Sequence, residues 1–174
     1  MLALRRFAVL PVALLAFAFA FALVAGCGGG DVPQTKEGFI NDADTVCQRL
    51  GGEFDSSGSQ QPGTPQEVAD ANHVLADLYE KLGDRLGKVR LPDKGPARTG
   101  AQHYVASVKQ AKPLLDRLRS TADGFLEAAK GTDKQALSVA ANALRSSLDA
   151  FRAARAQSDS LAVSYGLNLC GNLD

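Results

Sequence analysis

The 174 residues carry 19 Lys and Arg against 19 Asp and Glu, with three Cys, one Met and no Trp. Residues 1–26 hold Arg5 and Arg6 and no acid, so the remainder keeps 17 bases against 19 acids, a formal charge of −2. That balance gives no reason to expect nucleic acid or an anionic surface as a partner. The remaining chain of about 148 residues fits one domain able to bury a core, and its Ala- and Leu-rich, aromatic-poor composition points to helices.

The chain opens with a short basic stretch, Arg5-Arg6, followed by Phe7–Val24, which is apolar apart from Pro11. Small residues and Cys27 come next. A positive start, an apolar core and small residues predict a cleaved export signal. An uncleaved membrane anchor is the alternative, since the run is just long enough to span. The flank Gly28-Gly29-Gly30-Asp31 lacks a basic stop, which argues against it. Val24-Ala25-Gly26-Cys27 resembles the lipobox of bacterial lipoproteins. The resemblance implies cleavage after residue 26 and a diacylglycerol on the Cys27 thiol, with residues 27–35 as a lipidated flexible tether. Two or three acyl chains on one cysteine hold a protein firmly, at about 0.8 kcal/mol per buried CH₂.

With Cys27 assigned to lipid, Cys47 and Cys170 remain as an even pair in an exported chain, and such a pair is usually bridged. A first helix is predicted from Thr35 to Leu50, with Phe39, Ile40, Ala43, Val46, Cys47 and Leu50 on one face. Cys47 therefore points inward. Gly51-Gly52 should end this helix, and residues 51–64, rich in Gly, Ser, Gln and Pro, should form a loop.

Thr64-Pro65-Gln66-Glu67 is a strong helix start, with an N-cap, proline at the first helical position and a capping-box glutamate. Its predicted stripe is Val68, Ala71, Leu75, Leu78, Leu82, Leu86 and Val89. Asp77/Lys81 and Asp84/Lys88 are spaced as intrahelical pairs. A third helix starts after Gly95-Pro96 and carries Ala101, Tyr104, Val105, Val108, Ala111, Leu115, Leu118, Ala122, Phe125 and Leu126. Pro113 predicts a kink near Lys109–Pro113, not a break, because the stripe continues in phase. The fourth helix is predicted from the capping pattern Thr132-Asp133-Lys134-Gln135, with Leu137, Ala140, Leu144, Leu148 and Phe151 inward. Arg145/Asp149 and Arg155/Asp159 are spaced as surface pairs. Gly166 is the expected left-handed cap, and the tail to Cys170 should fold back towards the first helix.

Four amphipathic segments predict an all-α, up-down-up-down four-helix bundle over residues 36–174, with a Cys47–Cys170 disulfide joining helix 1 to the tail. No catalytic residue, metal site or cofactor is predicted. His73 and His103 lack a helical metal-ligand spacing. Asp31, Asp42, Asp44, Glu53 and Asp55 do not follow the calcium-loop pattern. Lys109, Lys112, Arg117 and Arg119 are accompanied by Asp116 and Glu127 and read as a solvated face.

Phe39-Ile40-Asn41-Asp42-Ala43-Asp44-Thr45-Val46-Cys47 and Tyr165-Gly166-Leu167-Asn168-Leu169-Cys170-Gly171 resemble the two ends of small Ala/Leu-rich lipoproteins of actinobacterial type. That resemblance implies the Cys47/Cys170 pairing and no catalytic residue. The expected protein is lipid-anchored at the extracytoplasmic face of the cell membrane. It is a non-enzymatic interaction or structural module with an envelope protein partner. The alternative is a small-molecule or ion-binding bundle, using a cavity walled by Tyr104, Phe125 and Phe151 or the space near Pro113. A hydrolase would require His103 and Tyr165 to meet a carboxylate in one cleft.

Overall fold

A computed structural model describes residues 33–58 and 62–172. The predicted signal segment, Cys27 and the tether up to Val32 lie outside the described residues. The helices are α1 (Lys36–Gly58), α2 (Pro65–Leu86), α3 (Gly95–Gln110), α4 (Lys112–Lys130) and α5 (Lys134–Tyr165), followed by a 3-10 turn, Cys170–Asn172. No strand occurs among the described residues. Four rods result, because α3 and α4 are one bent rod divided at Ala111, and the all-α bundle is as expected.

The rods alternate in direction. His73 meets Asp123 and Asp77 meets Arg119, so α2 and α4 run antiparallel. The Tyr165 hydroxyl donates to Ala97 O at 2.9 Å, which sets the end of α5 beside the start of α3. Asp93 N donates to Gln34 O at 3.1 Å, and Glu53 reaches Lys81 and Arg85, so α1 runs antiparallel to α2. The core of Phe39, Cys47, Tyr79, Leu82, Tyr104, Leu118, Phe151 and their neighbours closes inside residues 33–172. Residues 32–174 form a compact unit of their own.

Local chemistry accounts for several boundaries. Thr64 accepts from Glu67 N while Glu67 accepts from Gly63 N and Thr64 N, the reciprocal capping predicted for α2. These backbone donors hold the Glu67 carboxyl below its ordinary value. At the end of α5, Gly166 takes φ 104°, Gly166 N bonds to Val163 O and Leu167 N to Ala162 O. That double closure needs a left-handed residue and drops Leu167 into the core, fully buried.

Other boundaries depart from the expectation. The first helix does not stop at Gly51-Gly52 but continues to Gly58. Glycine costs about 1 kcal/mol per helical position, and the packed Phe54 and the Glu53 ion pairs with Lys81 and Arg85 offset it. The expected loop is therefore shortened; residues 59–61 lie outside the described residues. The expected kink near Pro113 takes the form of a one-residue interruption at Ala111, which keeps φ −69° and ψ −14°. Proline lacks an amide and its ring collides with the carbonyl four residues earlier, so α3 ends at Gln110 and Pro113 falls in the first turn of α4. The buried stripe Tyr104, Val108, Ala111, Leu115, Leu118, Ala122 still runs through in phase. The fourth predicted helix is capped by Asp133, which accepts from Gln135 N and Ala136 N, one residue later than the Thr132 pattern.

Candidate functional site

The stapled corner is built from α1 and the tail. Cys47 and Cys170 form a disulfide, with Cα atoms 5.1 Å apart across a sequence separation of 123. Asp44 lies one turn before Cys47 on the same side of α1. Its carboxylate accepts backbone N–H bonds from Asn168, Leu169 and Cys170, at 3.1–3.3 Å. Asp44 is one of the acids that do not follow the calcium-loop pattern. It is instead the clamp of the tail, and only its spacing to Cys47 hinted at this. Both cysteines are buried, and the Tyr104 hydroxyl lies 4.0 Å from Cys47 Sγ. Burial pushes the Tyr104 hydroxyl pKa well up, so it stays protonated.

The second region is a charged seam between α2 and α4. Arg119 bonds to Asp77 and Glu80 at 2.7 Å each and to Asp116 at 3.2 Å, while Lys112 pairs with Glu80. The predicted intrahelical Asp77/Lys81 pair is replaced: Asp77 turns to Arg119, and Lys81 to Glu53. Asp149 pairs with Arg152, not with Arg145, whereas Arg155/Asp159 is present at 3.5 Å. Lys112 and then Arg119 hold the Glu80 carboxyl below its usual value, and Glu80 in turn raises the Lys112 ammonium. Burial opposes the Arg119 charge, but Asp77 and Glu80 outweigh it and raise its pKa. Beside this seam, next to the Ala111 break, lies a cleft of about 200 Å³ lined by Tyr79, Glu80, Gly83, Asp84, Lys109 and Leu115 among others.

The third region is an open, mainly apolar groove of about 310 Å³ along the middle turns of α5. Val68 and Asn72 of α2, Phe125 of α4, and Ala141, Leu144, Arg145, Leu148 and Arg152 of α5 line it. The backbones of α2 and α5 do not approach each other closely. Tyr79 and Phe151 bridge them in mid-bundle, edge to face at 4.9 Å, and the groove opens beyond. Arg145 takes part in no ion pair among the described residues.

The expected aromatic cavity is not formed by the three residues named for it. Tyr104 and Phe151 are packed in the core, and only Phe125 lines either cleft described above. His103 is exposed, and the Tyr165 hydroxyl is committed to Ala97 O, so the two do not share a site with a carboxylate. His73 bonds to Asp123 at 2.8 Å, a partner on another helix that residue spacing could not reveal. Asp42 accepts from Gln34 Nε2, Asp44 from the tail amides and Glu53 from Lys81, so these three acids turn to separate partners, while Asp31 and the Asp55 side chain lie outside the described residues. Among the described residues no group of three or more His, Cys, Asp or Glu side chains is arranged to hold a metal ion. No helix among them is long and apolar enough to cross a membrane. Comparison with protein-family models, with curated proteins and with solved structures returns no match.

Proposed function

We propose that this protein is an extracytoplasmic lipoprotein, anchored through Cys27, whose bundle is a non-enzymatic docking module for another envelope component. The observation that carries the docking reading is the groove around Phe125. Val68, Phe125 and Leu148 are half-covered there, and Arg145 at its edge takes part in no ion pair among the described residues. That chemistry suits an amphipathic helix with an apolar stripe and a carboxylate opposite Arg145. The Cys47–Cys170 disulfide supports an oxidising compartment.

A small-molecule binder is the second reading, and the cleft beside the Ala111 break favours it. Asp84 and Lys109 line that cleft with opposite charges and could hold a zwitterion.

The test has two arms. Cys27→Ala should release the protein from membranes under a high-salt wash; persistent attachment refutes the anchor. A photo-crosslinker at Ala141 should capture one envelope protein stoichiometrically, and its replacement at exposed Arg117 should not. Absence of capture from the groove, with the protein folded and lipidated, rejects docking and moves the function to the cleft.

A further inference from the structure

The balanced total charge conceals a segregation along the bundle axis. The α2–α3 connector and first turn of α3 expose Lys88, Arg90, Lys94 and Arg98 against one acid, Asp93, a local balance of +3. At the opposite end Glu67, Asp70, Asp123, Glu127 and Asp133 stand exposed with Lys130 and Lys134, a balance of −3. The length of α2, 22 residues, puts about 33 Å between these poles.

Helix electrostatics explain Glu67 and Asp133 at the acidic pole, which cap helix starts, and also Lys88 and Arg90, which follow the end of α2. They do not explain Lys94; Arg98 donates to Pro92 O and Asp93 O at 3.3 Å, closing the connector while its residue stays exposed. Both sit at the start of α3, where the helix dipole is already positive, and Lys94 is an N-cap with no side-chain capping bond. Cations there disfavour the helix. Lys88 and Lys94 take part in no ion pair among the described residues.

The chain also enters the bundle at this pole. Gln34 O accepts the Asp93 amide, and Gln34 follows Cys27 by seven residues. Seven residues reach at most about 25 Å. A lipid on Cys27 therefore keeps the basic pole near the headgroups, with the acidic pole as the end farthest from the attachment point.

We propose that Lys88, Arg90, Lys94 and Arg98 form a docking surface for an anionic lipid bilayer. Docking through this pole stands the bundle on the membrane and turns the Phe125 groove away from it. The inference rests on the lipid-anchor reading for its setting, but its measurement does not need the lipid. Residues 33–174 contain the whole core and the disulfide and serve as the lipid-free protein.

The experiment is co-sedimentation of this chain with vesicles of phosphatidylglycerol and phosphatidylcholine in equal parts, or of phosphatidylcholine alone, at about 0.1 M salt, where charges act over about 10 Å. Each cation near such a surface contributes about a fivefold gain, so partitioning onto the anionic vesicles should exceed that onto neutral ones by tenfold or more. K88E/K94E should abolish most of that preference, whereas K130E/K134E, with the same change in net charge, should keep it within about twofold. A glutamate at position 94 favours the start of α3, so loss of binding by this variant is not loss of fold. Equal binding to the two vesicle types, equal loss from both variants, or binding to a soluble polyanion without vesicle retention would overturn the proposal. Failure of the Cys27→Ala release with vesicle docking intact would remove the anchor and leave the docking surface standing.

Discussion

The two ends of the bundle differ in how completely they are closed. At the stapled end α1 packs on α2, α3 and the 3-10 turn, and Phe39, Cys47, Tyr104 and Leu167 are all buried. Phe39 and Tyr165 pack edge to face, and Tyr165 lies so close over Gly100 that a Cβ there would come within 2.7 Å of its ring. At the open end, among the described residues, α1 contacts neither α4 nor α5, Phe125 and Leu148 are half-covered, and Val139 is 64 % exposed. A helix that crosses its neighbours covers only part of them, and the part left uncovered is the natural place for a partner.

The largest test of this contrast removes the staple. Replacing Cys47 and Cys170 by Ser frees a loop of more than 100 residues in the unfolded chain and should cost about 4–5 kcal/mol in the chain-entropy account. Urea denaturation with and without the bridge measures it. A loss below about 1 kcal/mol would assign the closure of this end to Asp44 and Leu167 instead.

Next in size is a pair of aromatic truncations. Phe151→Ala opens a cavity in a filled core and should cost about 3–5 kcal/mol. Phe125→Ala removes a half-covered ring and should cost about 1–2 kcal/mol, while weakening partner capture. Equal losses would mean that the groove is closed in solution. Asp44→Ala comes third, at roughly 1.5–3 kcal/mol, because three amides lose a charged acceptor. Hydrogen exchange at Leu169 and Cys170 should accelerate while exchange in α4 does not.

What could be read in the chain was local. Thr64-Pro65-Gln66-Glu67 announces α2 because its capping partners lie within three residues, and Gly166 announces the end of α5 for the same reason. Gly51-Gly52 misleads because the groups that carry the helix past it, Lys81 and Arg85, are about thirty residues away. Tyr79 lay outside the predicted stripe, yet it is buried, because α2 contacts α1, α3 and α4 and must bury more than one face. The Asp44 clamp spans more than 120 residues. The charge poles escaped for another reason: a net charge sums over the chain, and folding sorts the same charges by height.

The smallest effect is a pH window, and it probes the seam that runs from the open end to the Ala111 break. Glu80 has a lowered carboxyl, so its contribution is complete above the ordinary glutamate value of 4.5 and is lost as pH falls through the folded value. Lys112 has a raised ammonium, so its contribution is complete below the ordinary lysine value of 10.5 and is lost as pH rises through the folded value. Between those limits the pair contributes a constant amount, and because it is largely solvated the amount is small. Glu53 and Glu67 are lowered too, so the acid limb should be steeper than one carboxylate allows. Urea midpoints taken from neutral to acid pH should therefore stay flat and then fall below about 4.5, and Glu80→Gln should flatten that fall only in part. A fall that vanishes entirely in Glu80→Gln would place all the acid sensitivity in the seam; a fall unchanged by it would place it in Glu53 and Glu67, away from Arg119 and Lys112.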